Sequence, residues 1–283
     1  MLSPLRLGSL VGQGAWGQYL LQVAATDSTN RLLLDWGRQF PQPLPVGTVL
    51  VSTRQWAGKG QHGRVWQSEP GGLYLSVWLG PGGPDGLGSR PLDESLLQLT
   101  LALAWGVVGS LRQRLGIPLR LKWPNDLVWL DEERPGCLLK LGGLLLQSRF
   151  GGAGQLLGLV AGLGLNLNNP VPEGAITLAR VLGSQQDRTE IGALVLGGME
   201  RGFRTWQQSG LATIRSEYED WMVQPQLEWS QGEAVATVLG LAADGRIRVQ
   251  TQGESASPRR ETILTLSPHQ VRFSYHIPVP DSL

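Results

Sequence analysis

The sequence predicts an α+β fold: a sheet with helices, and a small β-barrel-like domain appended at the C-terminal end. Three observations carry that reading. Thr48 to Thr53 is a β-branched strand, and Gly72 to Leu79 alternates, with Leu73, Leu75, Val77 and Leu79 on one face and Tyr74, Ser76 and Trp78 on the other. Asp93 to Leu115 places Leu96, Leu99, Leu103, Val107 and Leu111 at helical spacing, and Gly116 and Pro118 stop it. Beyond Pro225 come four short strand patterns, Glu233 to Leu239, Arg246 to Thr251, Glu261 to Leu266 and Gln270 to Tyr275.

The 283 residues allow one large domain, or one large and one small. We expect an N-terminal segment (1–22), a main domain (23–223) and a C-terminal β domain (224–283). The 24 Lys+Arg nearly balance the 23 Asp+Glu, so charge favours neither nucleic acid nor a membrane surface as the main partner. The single cysteine, Cys137, excludes an internal disulfide and a Cys-rich zinc site, and suits a reducing compartment. His62, His269 and His276 lack metal-ligand spacing. No apolar run is expected to span a bilayer, and no signal-peptide pattern opens the chain. The expected location is the cytoplasm.

In chain order, Met1 to Gln22 shows no usable period. Asp27-Ser28-Thr29-Asn30 opens a helix with a choice of N-caps, and the same hydroxyls and amide are suited to face a ligand. Between the two first strands runs Gly58-Lys59-Gly60-Gln61-His62-Gly63-Arg64-Val65-Trp66. Its glycines let the main chain approach a ligand closely, and Lys59 and Arg64 supply charge for an anion. Gly58, Gly60 and Gly63 also satisfy the dinucleotide fingerprint, but that motif needs a helix to begin at the loop. The following Arg-Val-Trp-Gln-Ser-Glu-Pro-Gly-Gly cannot start one. A bare surface loop would not need Lys59, Arg64 and Trp66 set so close together.

Leu119 to Trp123 alternates like a strand and ends at Pro124-Asn125-Asp126, which makes a turn or binds a ligand. In Leu138 to Phe150, Lys140 enters an apolar, glycine-containing strand, where a lysine either snorkels or meets an anion. Leu156 to Asn168 is a buried strand whose Gly162 and Gly164 leave room for something lying across it, with Asn166 at its end. Asp187 to Gln208 and Leu211 to Trp221 read as helices.

Taken together, these stretches resemble the biotin–protein ligases (biotin–[acetyl-CoA-carboxylase] ligases). The likeness covers nearly all of Asp27 to Asn168 and runs through five motifs in family order. These are Asp27 to Asn30, Gln55 with Gly58 to Trp66, Lys122 to Asp126, Lys140 to Leu145, and Gly162 to Asn166. The resemblance implies a mixed sheet related to class II aminoacyl-tRNA synthetases, with an SH3-like C-terminal domain. It implies that ATP activates biotin to biotinyl-5′-adenylate, and that a lysine of the biotin carboxyl carrier protein of acetyl-CoA carboxylase then takes the biotin. It assigns Ser28, Thr29, Asn30 and Gln55 to biotin, and Gly58, Lys59, Gly60 and Gln61 to the loop that folds over biotin and adenylate. Arg64 and Trp66 fall near the nucleotide, and Gly143, Gly162 and Gly164 among the residues that bind biotin or adenylate. Lys140 and Lys59 are the implied catalytic cations. Asn125, Asp126 and Asn166 fall at ATP and its Mg²⁺, the metal being held mainly through ATP with Asp126 as the protein ligand.

Two departures stand out: Gln61 occupies a position where the family often has arginine, and an acidic insertion, Asp131 to Gly136, should lengthen a hairpin. With no DNA-binding module before Asp27, the resemblance is to the monofunctional form, and no specific DNA or membrane partner is expected. Assembly is left open, a homodimer included. The competing readings are a lipoate/octanoate–protein ligase of the same fold and a non-catalytic biotin-binding or sensor protein.

Overall fold

A computed structural model describes residues 15–39, 44–81, 92–223, 227–229, 236–251 and 262–275. Its main sheet has seven strands: β1 (Leu20–Thr26), β2 (Val49–Gln55), β3 (Leu73–Gly80), β4 (Arg120–Lys122), β5 (Asp126–Leu130), β6 (Leu138–Phe150) and β7 (Leu156–Leu165). Their order is β1-β2-β3-β7-β6-β5-β4, with β1 parallel to β2 and the other pairs antiparallel, so the sheet is mixed.

Both faces of the sheet are covered, which is why β3 is buried at every position. On one face lies helix α1 (Thr29–Gln39), where Leu33 and Leu34 meet Leu50, Trp78 and Val160. On the other lie α2 (Leu92–Leu115) and α4 (Arg188–Ser209), packed over Val49, Val51, Leu75 and Val77. The expected alternation in Gly72 to Leu79 therefore puts Leu73, Leu75, Val77 and Leu79 in the larger core, and on the other face only Trp78 joins the apolar cluster under α1. Asp187 starts α4 as an N-cap, its Oδ1 accepting from Thr189 N (2.7 Å) and Glu190 N (3.0 Å).

One expectation needs correction. Leu92–Leu115 is long and apolar enough to cross a membrane, with a window of mean hydropathy 1.3. Of that window 78% is buried inside the protein, because the helix has sheet on one side and α4 on the other. It is a core helix.

The α2–α4 crossing is close because glycines line it. A Cβ on Gly202 would meet Ala102 O at 2.1 Å, and one on Gly106 would meet Gly198 O at 2.0 Å. Two further helices follow, α3 (Leu178–Leu182) before α4 and α5 (Ala212–Trp221) after it.

The C-terminal strands are β8 (Leu227–Trp229), β9 (Ala236–Leu241), β10 (Ile247–Thr251), β11 (Thr262–Leu266) and β12 (Val271–Phe273). They form a three-stranded antiparallel sheet, β11-β10-β9, and a β12-β8 pair. Val238, Leu241, Ile247, Val249, Leu266 and Val271 join the same buried core as the main sheet. Trp123 locks the contact: its Nε1 donates to Gly245 O (3.0 Å), and its ring meets Phe273 edge-on at 5.9 Å. Strands β1, β5 and β8 and the short α3 were not anticipated. The expected Pro81 to Pro91 connector, the proposed boundary at Pro225 and most of Met1 to Gln22 lie outside the described residues.

Gly202→Ala tests the helix crossing. Alanine gains about 1 kcal/mol of helix propensity, but the colliding atom is a backbone carbonyl that cannot rotate away. Overpacking of this kind costs about 1–3 kcal/mol, so the urea midpoint should fall. A variant as stable as the parent would contradict the packing described.

Candidate functional site

A cavity of about 550 Å³ opens where the glycine-rich loop, the middle of the sheet and the C-terminal strands converge. It has an uncharged end and a charged end.

The uncharged end is a chain of hydrogen bonds between α1, β2 and β3. Gln55 Oε1 accepts from Thr29 N (2.8 Å) and Thr29 Oγ1 (3.1 Å), so it caps an otherwise orphaned helix N–H. Gln55 Nε2 donates to Ser68 Oγ (2.8 Å). Ser76 Oγ, fully buried, lies 2.7 Å from Thr29 Oγ1 and 2.6 Å from Asn30 Oδ1 and has one proton to give. Asn30 Nδ2 donates to Leu145 O (3.1 Å). No member carries a charge. The Asp27–Asn30 stretch thus does both things expected of it: it opens a helix and faces the cavity.

The glycine-rich loop folds back on itself. Trp66 N donates to Gly58 O (2.9 Å) and Gly60 N to Arg64 O (2.8 Å), and Lys59 pairs with Val65 in an isolated β-bridge. Gln61–Gly63 makes one 3₁₀ turn with His62 at φ 55°. The loop starts no α-helix, in keeping with rejection of the dinucleotide motif. Lys59 and Arg64 are exposed at the rim, and neither forms an ion pair with a described residue.

At the charged end the lysine question resolves: Lys140 meets an anion, and it is the protein's own. Its Nζ lies 2.6 Å from Asp126 Oδ1 and 5.3 Å from the centroid of the Trp66 ring. Asp126 Oδ2 accepts from Tyr275 Oη (2.5 Å), and Lys122 Nζ stands 4.0 Å from the same oxygen. Burial, then the charge and hydrogen bond of Asp126, hold the Tyr275 phenol far above its ordinary value, with Arg64 opposing. Asn125 Nδ2 donates to Leu144 O (2.6 Å) and Asn166 Nδ2 to Lys140 O (3.3 Å), so both amides brace the strands beneath. Among the described residues four cations (Lys59, Arg64, Lys122, Lys140) face two carboxylates (Asp126, Glu173) around the cavity, which favours an anionic occupant.

The strand glycines make room for side chains of the site itself. A Cβ on Gly162 would lie 2.3 Å from Asn30 Oδ1, and one on Gly164 would lie 2.5 Å from the Trp66 indole. On Gly143 it would come within 3.1 Å of Asp126 Oδ1.

Of the sequence-derived candidates, Ser28, Thr29, Asn30, Gln55, Lys59, Gly60, Gln61, Arg64, Trp66, Asn125, Asp126, Lys140, Gly143, Gly162, Gly164 and Asn166 all line this cavity. Gly58 does not; it sits behind the loop, where a Cβ would meet Trp66 O at 2.5 Å. Ser76, Lys122 and Tyr275 were missed. Ser76 is a hydroxyl in an apolar strand and Lys122 a lysine in an alternating one, both readable signals. Tyr275 has none, since only the tertiary fold brings it to the cavity.

The sequence pattern of the biotin/lipoate A/B protein ligase family matches residues 23–166. The chain belongs to that family. It is 28% identical over 250 residues to the human biotin–protein ligase, covering 84% of this chain but only 32% of that longer relative. It is 30% identical over 210 residues to the biotin–[acetyl-CoA-carboxylase] ligase of Mycobacterium tuberculosis, covering 71% of this chain and 70% of that one. Among solved structures it is similar to the Aquifex aeolicus biotin protein ligase in complex with biotin and ATP. The TM-score is 0.66 at 26% identity, over 91% of this chain and 100% of that one. The family match takes in the glycine-rich loop, Asp126, Lys140 and Asn166 but stops short of the C-terminal strands.

Gly162→Ala should break the uncharged end. The added methyl displaces Asn30, which then loses its bonds with Ser76 and Leu145 inside the protein. Leaving buried polar groups unmet costs about 1–3 kcal/mol, read as a drop in chemical-denaturation stability. Unchanged stability would mean that Asn30 is not held as described.

Proposed function

We propose that the chain joins biotin to ATP as biotinyl-5′-adenylate and passes the biotinyl group to a lysine of a biotin carboxyl carrier protein, releasing AMP. The observation that carries this is one cavity with a neutral hydrogen-bonding end and a cationic end. A carboxylic acid with an uncharged polar head fits across it, with its carboxylate among the lysines.

A carboxylate is a poor acceptor for an amine because its charge repels the nucleophile. In the first half-reaction a biotin carboxylate oxygen forms a bond to the α-phosphorus of ATP, and the bond to diphosphate breaks. Two anions must approach each other, and Lys140 and Lys59, with Arg64 and Lys122 close by, lower that barrier. In the second, the carrier's amine forms a bond to the acyl carbon, the bond to AMP breaks, and the amine proton is released. No side chain of the chain becomes covalently attached. Thr29, Asn30 and Gln55 orient the biotin head, with Ser28 beside them. The glycine-rich loop covers the mixed anhydride and keeps water from it.

The residues present suit Mg²⁺ brought in by the nucleotide. Among the described residues no three His, Cys, Asp or Glu cluster. A single carboxylate, Asp126, is what an ion bound chiefly through phosphates requires of the protein. When bound, Mg²⁺ neutralises phosphate charge. Asn125 and Asn166 serve this end by holding the strands that carry Asp126 and Lys140. We place the reaction in the cytoplasm, in keeping with the single cysteine, and assign no DNA partner.

The experiment is transfer of labelled biotin to a purified carrier domain with and without ATP, with lipoate and octanoate as competitors. ATP-dependent labelling of the carrier lysine that neither acid suppresses is expected. Transfer of lipoate or octanoate instead would move the chain to the other branch of its family, and biotin binding without transfer would make it a sensor.

Lys140→Met should cut biotin-dependent pyrophosphate exchange by about 10²–10³, the usual effect of removing one preorganised charged donor. Asp126 keeps Tyr275 and Lys122, so the fold should survive. Near-normal exchange would remove Lys140 from the mechanism.

Gln61 leads to a further expectation. A carboxamide can hydrogen-bond a phosphate but cannot clamp it as a guanidinium does. Gln61→Arg should slow escape of preformed adenylate about tenfold, the lower end of a charged hydrogen bond, without abolishing transfer. Rapid filtration measures the release rate, and equal or faster release from the arginine variant would show that position 61 does not govern retention.

A further inference from the structure

The C-terminal strand β12 ends beside the charged end of the cavity. The residue just beyond it, Tyr275, belongs to no motif of the main domain. Its backbone is tied to β6, with Leu138 N donating to Tyr275 O (2.8 Å), and its ring packs with Val128, Leu138 and Val223. From there the side chain makes two polar contacts. The phenol donates to Asp126 Oδ2 (2.5 Å), and the ring face lies 4.2 Å from Lys122 Nζ. One side chain therefore holds both charged ends of the Lys122-to-Asp126 stretch, the carboxylate by a charge-assisted hydrogen bond and the ammonium by its π face.

The geometry also says which half of the cavity depends on it. With Oδ2 taken by Tyr275, Asp126 presents Oδ1 to Lys140 at 2.6 Å, and Lys140 stays over the Trp66 ring. The uncharged end is closed by Thr29, Asn30, Gln55, Ser68 and Ser76 through bonds among themselves and to Leu145 O. None of those bonds reaches Asp126 or Tyr275.

We propose that Tyr275 is a positioning residue for the nucleotide end. It sets Asp126 and Lys122, and through Asp126 the ammonium of Lys140, so that the C-terminal unit completes the ATP half of the site and leaves the biotin half alone. This rests on the ligase reading above.

The test compares the wild-type chain with Tyr275→Phe and Tyr275→Leu, and with Asp126→Ala alone and combined with Tyr275→Phe. Phenylalanine keeps the packing and the ring under Lys122 and removes only the phenol oxygen. Its calorimetric biotin affinity should match wild type and its melting temperature should fall only by what one hydrogen bond contributes, while kcat/KM for ATP in biotin-dependent exchange falls about tenfold or more, the effect of losing one hydrogen bond to a charged group. Leucine also removes the ring face and should fall further. In the Asp126→Ala background the Phe substitution should add little, because two changes acting through one contact are not additive.

Equal kinetics for Tyr275→Phe and wild type would overturn the assignment. So would an equal loss for ATP and for biotin, which marks a merely structural role. Should the wild-type chain show no biotin-dependent exchange, the ligase reading fails by itself. Calorimetric ATP affinity then decides the Tyr275 assignment: weaker binding by the Phe variant supports it, and equal binding, or none by either protein, overturns it.

Discussion

The ion pair between Asp126 and Lys140 is the contact on which the site depends. It joins neighbouring antiparallel strands, β5 and β6, where Asp126 is paired in register with Gly143. The absence of a side chain at Gly143 lets the carboxylate and the lysine stem lie side by side. Both groups are partly withdrawn from water, so each would be costly without the other. Together with Lys122 they leave a net positive charge inside the cavity mouth. The cluster is thus stable by itself yet retains attraction for phosphate, and the anion that arrives meets donors already in place.

Much of the remaining architecture keeps those two strand segments still. The α2 and α4 helices meet at glycines and cover one face, while α1 covers the other and delivers Thr29 and Asn30. Asn166 and Asn125 tie the strands to each other through carbonyls. From below, Tyr218 of α5 donates to Pro124 O (3.1 Å), and from the C-terminal unit Trp123 is fastened to Gly245. The Lys122-to-Asp126 stretch is consequently gripped from three sides, a rigidity that the proposed joining of two anions would require.

The long-period features were legible in the sequence, and the reason is burial. Leu99, Leu103, Val107 and Leu111 face a large core, as do Leu73, Leu75, Val77 and Leu79 of β3, so the apolar face of each pattern is enforced. β1 escaped notice because it is an edge strand, only half-buried along Leu20 to Val23, where alternation is weakly imposed. The five-residue α3 is too short for a period. Within the site, Gly162 and Gly164 announced a close approach but not its occupant, which proved to be Asn30 and Trp66. Lys140 announced an anion but not that Asp126 supplies one before any ligand arrives. Tyr275 was illegible, since its place at the cavity depends on packing across some 150 residues of chain separation (149 from Asp126).

On the proposed reaction, the Lys140–Asp126 cluster receives the phosphate of an acyl-adenylate whose acid lies toward Thr29, Asn30 and Gln55. A crystal structure with a non-hydrolysable biotinyl-adenylate analogue measures this most directly. The expected structure has the phosphate mimic within hydrogen-bonding distance of Lys140 Nζ, the biotin head at Thr29, Asn30 and Gln55, and the Gly58-to-Arg64 loop closed over both. An analogue bound with its phosphate mimic away from Lys140, or with the biotin head at the charged end, would contradict it.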